Sequence, residues 1–189
     1  MADHKRKHTM NTAIALFAEN GFDKTSTQLI AKKAGIGTGT LFGLFSSKEE
    51  LVRQCYLYTK KEMISVTKSG VLAQDRFDQI LYKMWKNLLN WCLKNPAKHS
   101  FTLQIASSRL KDPEIDALVE KELLFFHLAV HSAQESGKLA PLNMELINSV
   151  IWSFLNLAIH FAKTPEIAKE DDIFQMMLHS LKVERSHQA

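Results

Sequence analysis

The chain has 189 residues, 46% of them hydrophobic and 23% charged, with seven glycines and four prolines, values ordinary for a globular protein with a real core and long helices. Its two cysteines, Cys55 and Cys92, form no C-x-x-C pattern, which argues against a disulfide framework and fits a reducing compartment; the basic start MADHKRKH has no apolar run behind it, so it does not read as a signal peptide. The net charge of +4 is uneven, with 11 Lys/Arg against 6 Asp/Glu in residues 1–70 and 13 against 14 in residues 71–189, so the positive field sits at the N-terminal end.

Lys5 to Asn20 reads as a first helix with Ala13, Ile14, Phe17 and Ala18 as its apolar stripe, ended by Gly21 and latched by Phe22. Lys5, Arg6 and Lys7 at its start are placed either to reach a DNA backbone or minor groove, or simply to face solvent. Thr25-Ser26-Thr27-Gln28 carries a capping-box pattern opening a second helix, with Thr25 as the cap and Gln28 reaching back. Leu29, Ile30 and Ala34 form its apolar face, Lys32 and Lys33 stay wet, and Gly35 ends it because glycine accepts the left-handed conformation. Ile36 plugs the core before a third helix, roughly Thr38 to Phe45, which turns Leu41, Leu44 and Phe45 inward. That leaves Thr38, Gly39, Thr40 and Gly43 facing outward. Ser46 to Glu50 is a second capping box, opening a fourth helix to about Lys68. A helix, a glycine turn and a short helix of small residues make a helix-turn-helix, whose second helix lies in the DNA major groove.

Beyond Ser69-Gly70, Arg76 to Lys94 is amphipathic, with Phe77, Ile80, Leu81, Met84, Trp85, Leu88 and Cys92 on its apolar side. Asn95-Pro96 opens a helix to Leu110, and Asp112-Pro113 opens another that reaches Ser136 and stops at Gly137. Glu145 to Lys163 is apolar nearly all round; the longest apolar region, near Val150 to Ala162, is broken by Ser153, Asn156 and His160 and is too short and too polar for a membrane span. Such a helix must be covered on most sides, either by its own domain or by a partner subunit. A last helix runs from about Asp171 to Lys182, and residues 184–189 read as a frayed tail. The fold class expected is all-α, of about nine helices, with no internal repeat and no convincing strand.

At Ala15–Phe22, Thr25-Ser26, Ile30-Ala31, Ala34–Ile36, Gly39–Phe42, Phe45 and Ser47–Leu51 the chain resembles the tetracycline-repressor (TetR) family of bacterial regulators. The resemblance implies a helix-turn-helix head over residues 1–47 and a ligand-binding, dimerising body over residues 48–189, with the fourth helix as the link. It implies a cytoplasmic, homodimeric regulator, a repressor rather than an enzyme, that pairs through its last two long helices and binds a near-palindromic duplex DNA operator. The residues assigned to DNA are Thr25, Ser26, Gln28, Thr38, Gly39, Thr40, Phe42, Gly43, Ser47 and Lys48, with Lys48 on a phosphate or, alternatively, part of a simple capping box. Helix three departs from the family. Phe42 stands where an aromatic hydroxyl is usual, Gly43 where a polar ring is common, Leu44 where tyrosine is common and Gly37 where serine caps. With no Arg, Lys, Asn or Gln from Thr38 to Phe45, direct reading rests on Thr38 and Thr40, by hydroxyl or by methyl contact with thymine. Gln28 is the one amide placed to pair with adenine.

The resemblance also implies a ligand cavity among the middle helices. Met84, Trp85, Leu88, Cys92, Phe101, Ile105, Phe126 and Trp152 are the expected walls, with Ser108, His127 and His131 as polar groups, for a small, largely apolar ligand; the alternative is a filled core with no cavity. No cofactor and no metal is expected, since His127 and His131 have the four-residue spacing of ligands but no further ligands beside them. The competing classes are a helical enzyme, for which Glu120, Glu122 and His127 show no distinctive spacing, and a protein-binding adaptor, against which the basic first segment argues. Salt-dependent DNA binding separates the regulator from both.

Overall fold

The computed structural model describes residues 2–110, 112–164 and 166–182. Among these residues there are ten helices and no strand: α1 (Ala2–Asn20), α2 (Thr27–Lys33), α3 (Thr38–Leu44), α4 (Lys48–Thr67), α5 (Phe77–Lys94), α6 (Pro96–Ala106), α7 (Pro113–Glu122), α8 (Leu124–Glu135), α9 (Met144–Phe161) and α10 (Glu170–Leu181). The fold is all-α, as the periodicity predicts, with one helix more. The run expected to continue from Pro113 to Ser136 breaks at Leu123, which no proline or glycine announces. There the Leu123 carbonyl accepts from the backbone N–H groups of both Phe126 and His127, a tightened turn that places Phe126 in a stack on Phe77.

The helices form two compact units. Unit 1 takes the chain up to residue 63 together with residues 94–119; unit 2 takes residues 64–93 together with those from 120 on. The sequence suggests a division at residue 47, whereas the packing divides inside α4 and gives α6 to unit 1. The cause is the composition of the core. Leu51, Val52, Cys55 and Tyr56 of α4 are buried with Ile14 and Phe17 of α1, and Phe101, Ile105 and Ile115 close the same cluster. Phe101 lies 6.0 Å from the Phe17 ring and 5.8 Å from the Phe22 ring. Arg53, paired with Asp112 and Glu114, ties α4 to the start of α7.

In unit 2, α5 buries Leu81, Met84, Trp85, Leu89 and Cys92, and α10 buries Ile173, Phe174, Met177 and Leu181. Phe174 sits between Tyr82 and Trp85, with centroids at 4.9 and 5.4 Å. Lys86 pairs with Glu170 and Asp171 at the start of α10, where carboxylates also suit the positive end of the helix. The Ala140 N–H donates to the Leu181 carbonyl at 2.9 Å and holds the α8–α9 loop beside the end of α10. In contrast, α9 buries only Ile147, Leu155 and Ala158 of its eighteen residues.

Candidate nucleic-acid interface

The head is built so that α3 presents one face outward. Gly35, at φ +67°, ends the turn after α2, and its left-handed backbone lets the Ile36 N–H return to the Ala31 carbonyl. Ile36 then packs against the core, and α3 follows with Leu41 fully buried and Phe45 closing its far end. Thr38, Gly39, Thr40, Phe42 and Gly43 are all exposed, Phe42 by 45%. Nothing lies within 4 Å of a Cβ built at Gly39 or Gly43, so both positions are open.

Arg6 fixes α3 from the side of α1. Its guanidinium donates to the Leu44 carbonyl at 2.7 Å and lies over the Phe45 ring at 4.5 Å. The basic start is therefore helical, with Arg6 half-buried as a clamp while Lys5 and Lys7 are exposed. Lys48, at the start of α4, donates through Nζ to the Phe22 carbonyl. Ser47 accepts from the Glu50 N–H at 3.1 Å, the capping contact expected there. The Glu49 carboxylate is held below the usual range by hydrogen bonds from its own backbone and from Ser47.

Two assignments at α2 change. Thr25 is fully buried, not a surface hydroxyl; its Oγ1 donates to the carbonyls of Gly21 at 2.7 Å and Leu16 at 3.2 Å. The cap is Ser26, which accepts from the Leu29 N–H at 3.1 Å. The hydroxyl of Thr25 is engaged with the end of α1, so the cap passes to the next residue. Gln28 is exposed on α2, and Lys24, Lys32 and Lys33 are exposed beside it in sequence. Ser26, Gln28 and the outer face of α3 are thus open to a partner, whereas Thr25 is internal. The signal that finds Lys24, Lys32 and Lys33 is their charge in a segment that turns its apolar residues inward.

The expected ligand walls are divided between the two units. Phe101 and Ile105 belong to the core of unit 1, where they seal the head against α1, and Ser108 lies in the same unit. Met84, Trp85, Cys92 and Phe126 are buried in unit 2, with Leu88 and Trp152 half-buried there. The Trp85 Nε1–H is buried without a hydrogen-bond partner among the described residues. Unit 2 carries an open cleft of about 1700 Å³ lined by none of the eight expected residues; Leu72, Phe77, Ile80, Phe125, Leu128 and Leu178 supply its apolar surface. Its charged margin is largely self-neutralised, Lys68 by Glu122, Arg76 by Asp78 and Asp75 by Lys83. His127 lies 3.3 Å from Glu120, and His131 lies 3.4 Å from Glu135. No group of three or more His, Cys, Asp or Glu gathers as metal ligands among the described residues.

A helix-turn-helix with an outward second helix on an all-α chain defines a DNA-binding transcriptional regulator. Residues 10–55 match the family model of bacterial regulatory proteins, tetR family. The HTH-type transcriptional regulator UidR of Escherichia coli K12 is 22% identical over 174 residues, spanning 90% of this chain and 85% of its own. A Haemophilus influenzae HTH-type transcriptional regulator is 28% identical over 160 residues, 80% and 83% of the two chains. The crystal structure of a tetR-family transcription regulator from Shewanella sp. PV-4 superposes with a TM-score of 0.80 at 28% identity, over 95% of this chain and 98% of that one. A regulator of the same family from Marinobacter aquaeolei VT8 gives 0.85 at 22% identity, over 95% and 96%. Over residues 10–55 the chain thus matches the tetR family of bacterial regulatory proteins, and across most of its length it is similar to regulators of that family.

Proposed function

We propose that the protein is a cytoplasmic, ligand-responsive repressor that binds a near-palindromic operator as a homodimer and leaves it when a small apolar ligand binds. The observation that carries this reading is α9. It is apolar enough to pass for a membrane span by length and composition, yet only three of its eighteen residues are buried. Leu146 and Leu157 are 46% and 37% exposed, and Ser149 and Ser153 lie exposed between them at four-residue spacing. Small residues between larger apolar ones let a second helix approach closely, while Asn156 and His160 on the same exposed side suit a protein partner better than lipid. A twofold pairing through α9 and α10 would present two reading heads, which a near-palindromic site mirrors. A dimer on an operator that overlaps a promoter excludes polymerase, hence repression rather than catalysis.

The ligand part of the proposal rests on unit 2. Its cleft offers an apolar surface with paired charges, and Trp85 offers a buried donor whose lack of a partner costs about 1–3 kcal/mol. A small, largely apolar molecule suits the cleft, which Trp85 does not line. Binding must be reciprocal: what releases DNA is released by DNA in the same proportion.

The test is a selection from random duplex DNA with the purified protein, followed by sedimentation. We expect near-palindromic sequences bound by a dimer, and loss of both dimer and high affinity in Leu146→Asp and Leu157→Asp. A wild-type monomer at micromolar concentration in the presence of bound operator would sink the dimer. All three tryptophans lie in unit 2, so saturable quenching by apolar compounds that also release DNA tests the ligand.

A further inference from the structure

We infer that α3 reads its operator through the C5-methyl groups of thymine, with Phe42 as the principal apolar probe and the methyls of Thr38 and Thr40 beside it. The inference deepens the DNA-binding reading above and rests on it. The outward face of α3 consists of Thr38, Gly39, Thr40, Phe42 and Gly43, and none of these side chains carries an amide, a guanidinium, an ammonium or a carboxylate. The bidentate hydrogen bonds that identify guanine or adenine are therefore absent from this helix. Of the cations beside it, Arg6 donates to the Leu44 carbonyl and Lys48 to the Phe22 carbonyl, while the exposed Lys24, Lys32 and Lys33 lie off α3. What α3 does offer is a large apolar ring, 45% exposed, one helical turn beyond Thr38 and therefore on the same side.

An exposed phenylalanine among threonines and glycines contributes nothing to the core, since Leu41 and Phe45 already fill it. The open glycines at 39 and 43 let the helix backbone approach the groove floor without a Cβ in the way. The major groove presents one apolar feature, the thymine methyl, and Phe and the Thr methyl are side chains that contact it. The half-site under α3 is accordingly rich in A·T pairs, with thymines on the strand facing Phe42. Gln28 is the exposed amide of α2, able to take an adenine N6/N7 edge at its margin.

The experiment replaces thymine by deoxyuridine throughout the selected operator, which removes the methyls and leaves every base-pairing and hydrogen-bonding edge intact. Each buried methyl is worth about fourfold in affinity, from ~0.8 kcal/mol per CH₂-sized group. Two or three methyls in a half-site predict a loss of roughly tenfold or more. Phe42→Ala, and Thr38→Ser with Thr40→Ser, should bind the thymine duplex more weakly and should no longer distinguish it from the uracil duplex. Unchanged circular dichroism and melting in each variant separate recognition from folding. Equal affinity of the wild type for both duplexes overturns the inference while leaving salt-dependent operator binding, and hence the regulator, in place. A uracil penalty that persists undiminished in the variants also overturns it, because the penalty then comes from duplex shape. Failure to select any duplex removes the DNA-binding reading and this inference together.

Discussion

Thr25 separates a structural from a DNA-contacting role, and Thr25→Val is the substitution to make. Valine keeps the β-branched shape and removes only the hydroxyl, so packing in the buried site is preserved. The lost donor serves two carbonyls. Leu16 O keeps a second partner, the Asn20 side-chain amide at 3.2 Å, whereas Gly21 O loses the Thr25 hydroxyl. One net hydrogen bond is worth about 1 kcal/mol, and a buried carbonyl left short adds up to about 2 more. The expected loss is therefore about 1–3 kcal/mol, read as a lower urea midpoint at unchanged slope. Operator affinity, measured where the variant is fully folded, should match the wild type. A variant of wild-type stability whose operator affinity falls alike for all sequences would refute the reasoning and make the hydroxyl a phosphate donor.

Lys48→Ala should weaken all sequences alike and reduce the salt slope by about one unit, since Nζ has donors beyond the one given to Phe22; an unchanged slope in a folded variant would confine Lys48 to that internal tie. In acid, Asp75 is held below the usual carboxylate range by hydrogen bonds from Lys83 and the Leu72 N–H, so its contribution is present above the unfolded pKa and is lost as pH falls through the lower folded value. Melting temperature followed downward from about pH 5 should decline less steeply in Asp75→Asn than in the wild type. Burial pushes the Cys92 thiol up to about 12 and raises Cys55 as well, so neither should react with a thiol reagent at neutral pH until urea unfolds the chain.

The parts of the fold that the sequence made legible are those fixed by local chemistry. Gly35 and the alternation around Leu41 and Phe45 define the helix-turn-helix because a left-handed turn and a helical period each leave a mark within a few residues. The pattern places the cap of α2 at Thr25 and the structure places it at Ser26, because both carry hydroxyls and only the position of the Leu16 and Gly21 carbonyls decides between them. The break at Leu123 has no local mark at all. That Phe101 and Ile105 belong to the core of unit 1 was not legible for a related reason. A buried aromatic helix face announces that it is covered, but periodicity does not say by which unit, and here the cover is Phe17 and Phe22. On α3 the face was legible, since its outward residues were those the inward ones left over; that Arg6 and Lys48 turn back into the head was not.

Because residues 94–119 complete the core of unit 1, the reading head is not an N-terminal cassette. A ribosome that has released residues 1–63 has not yet released the ring that Phe17 and Phe22 pack against. The nascent head must wait, with apolar surface uncovered, through the whole of α5. The same holds for grafting. A chimera joined at residue 47 strands Phe101, Ile105 and Ile115 on the recipient and leaves the transplanted head unsealed. A transplant that exchanges residues 1–63 and 94–119 together moves the operator preference with its core intact.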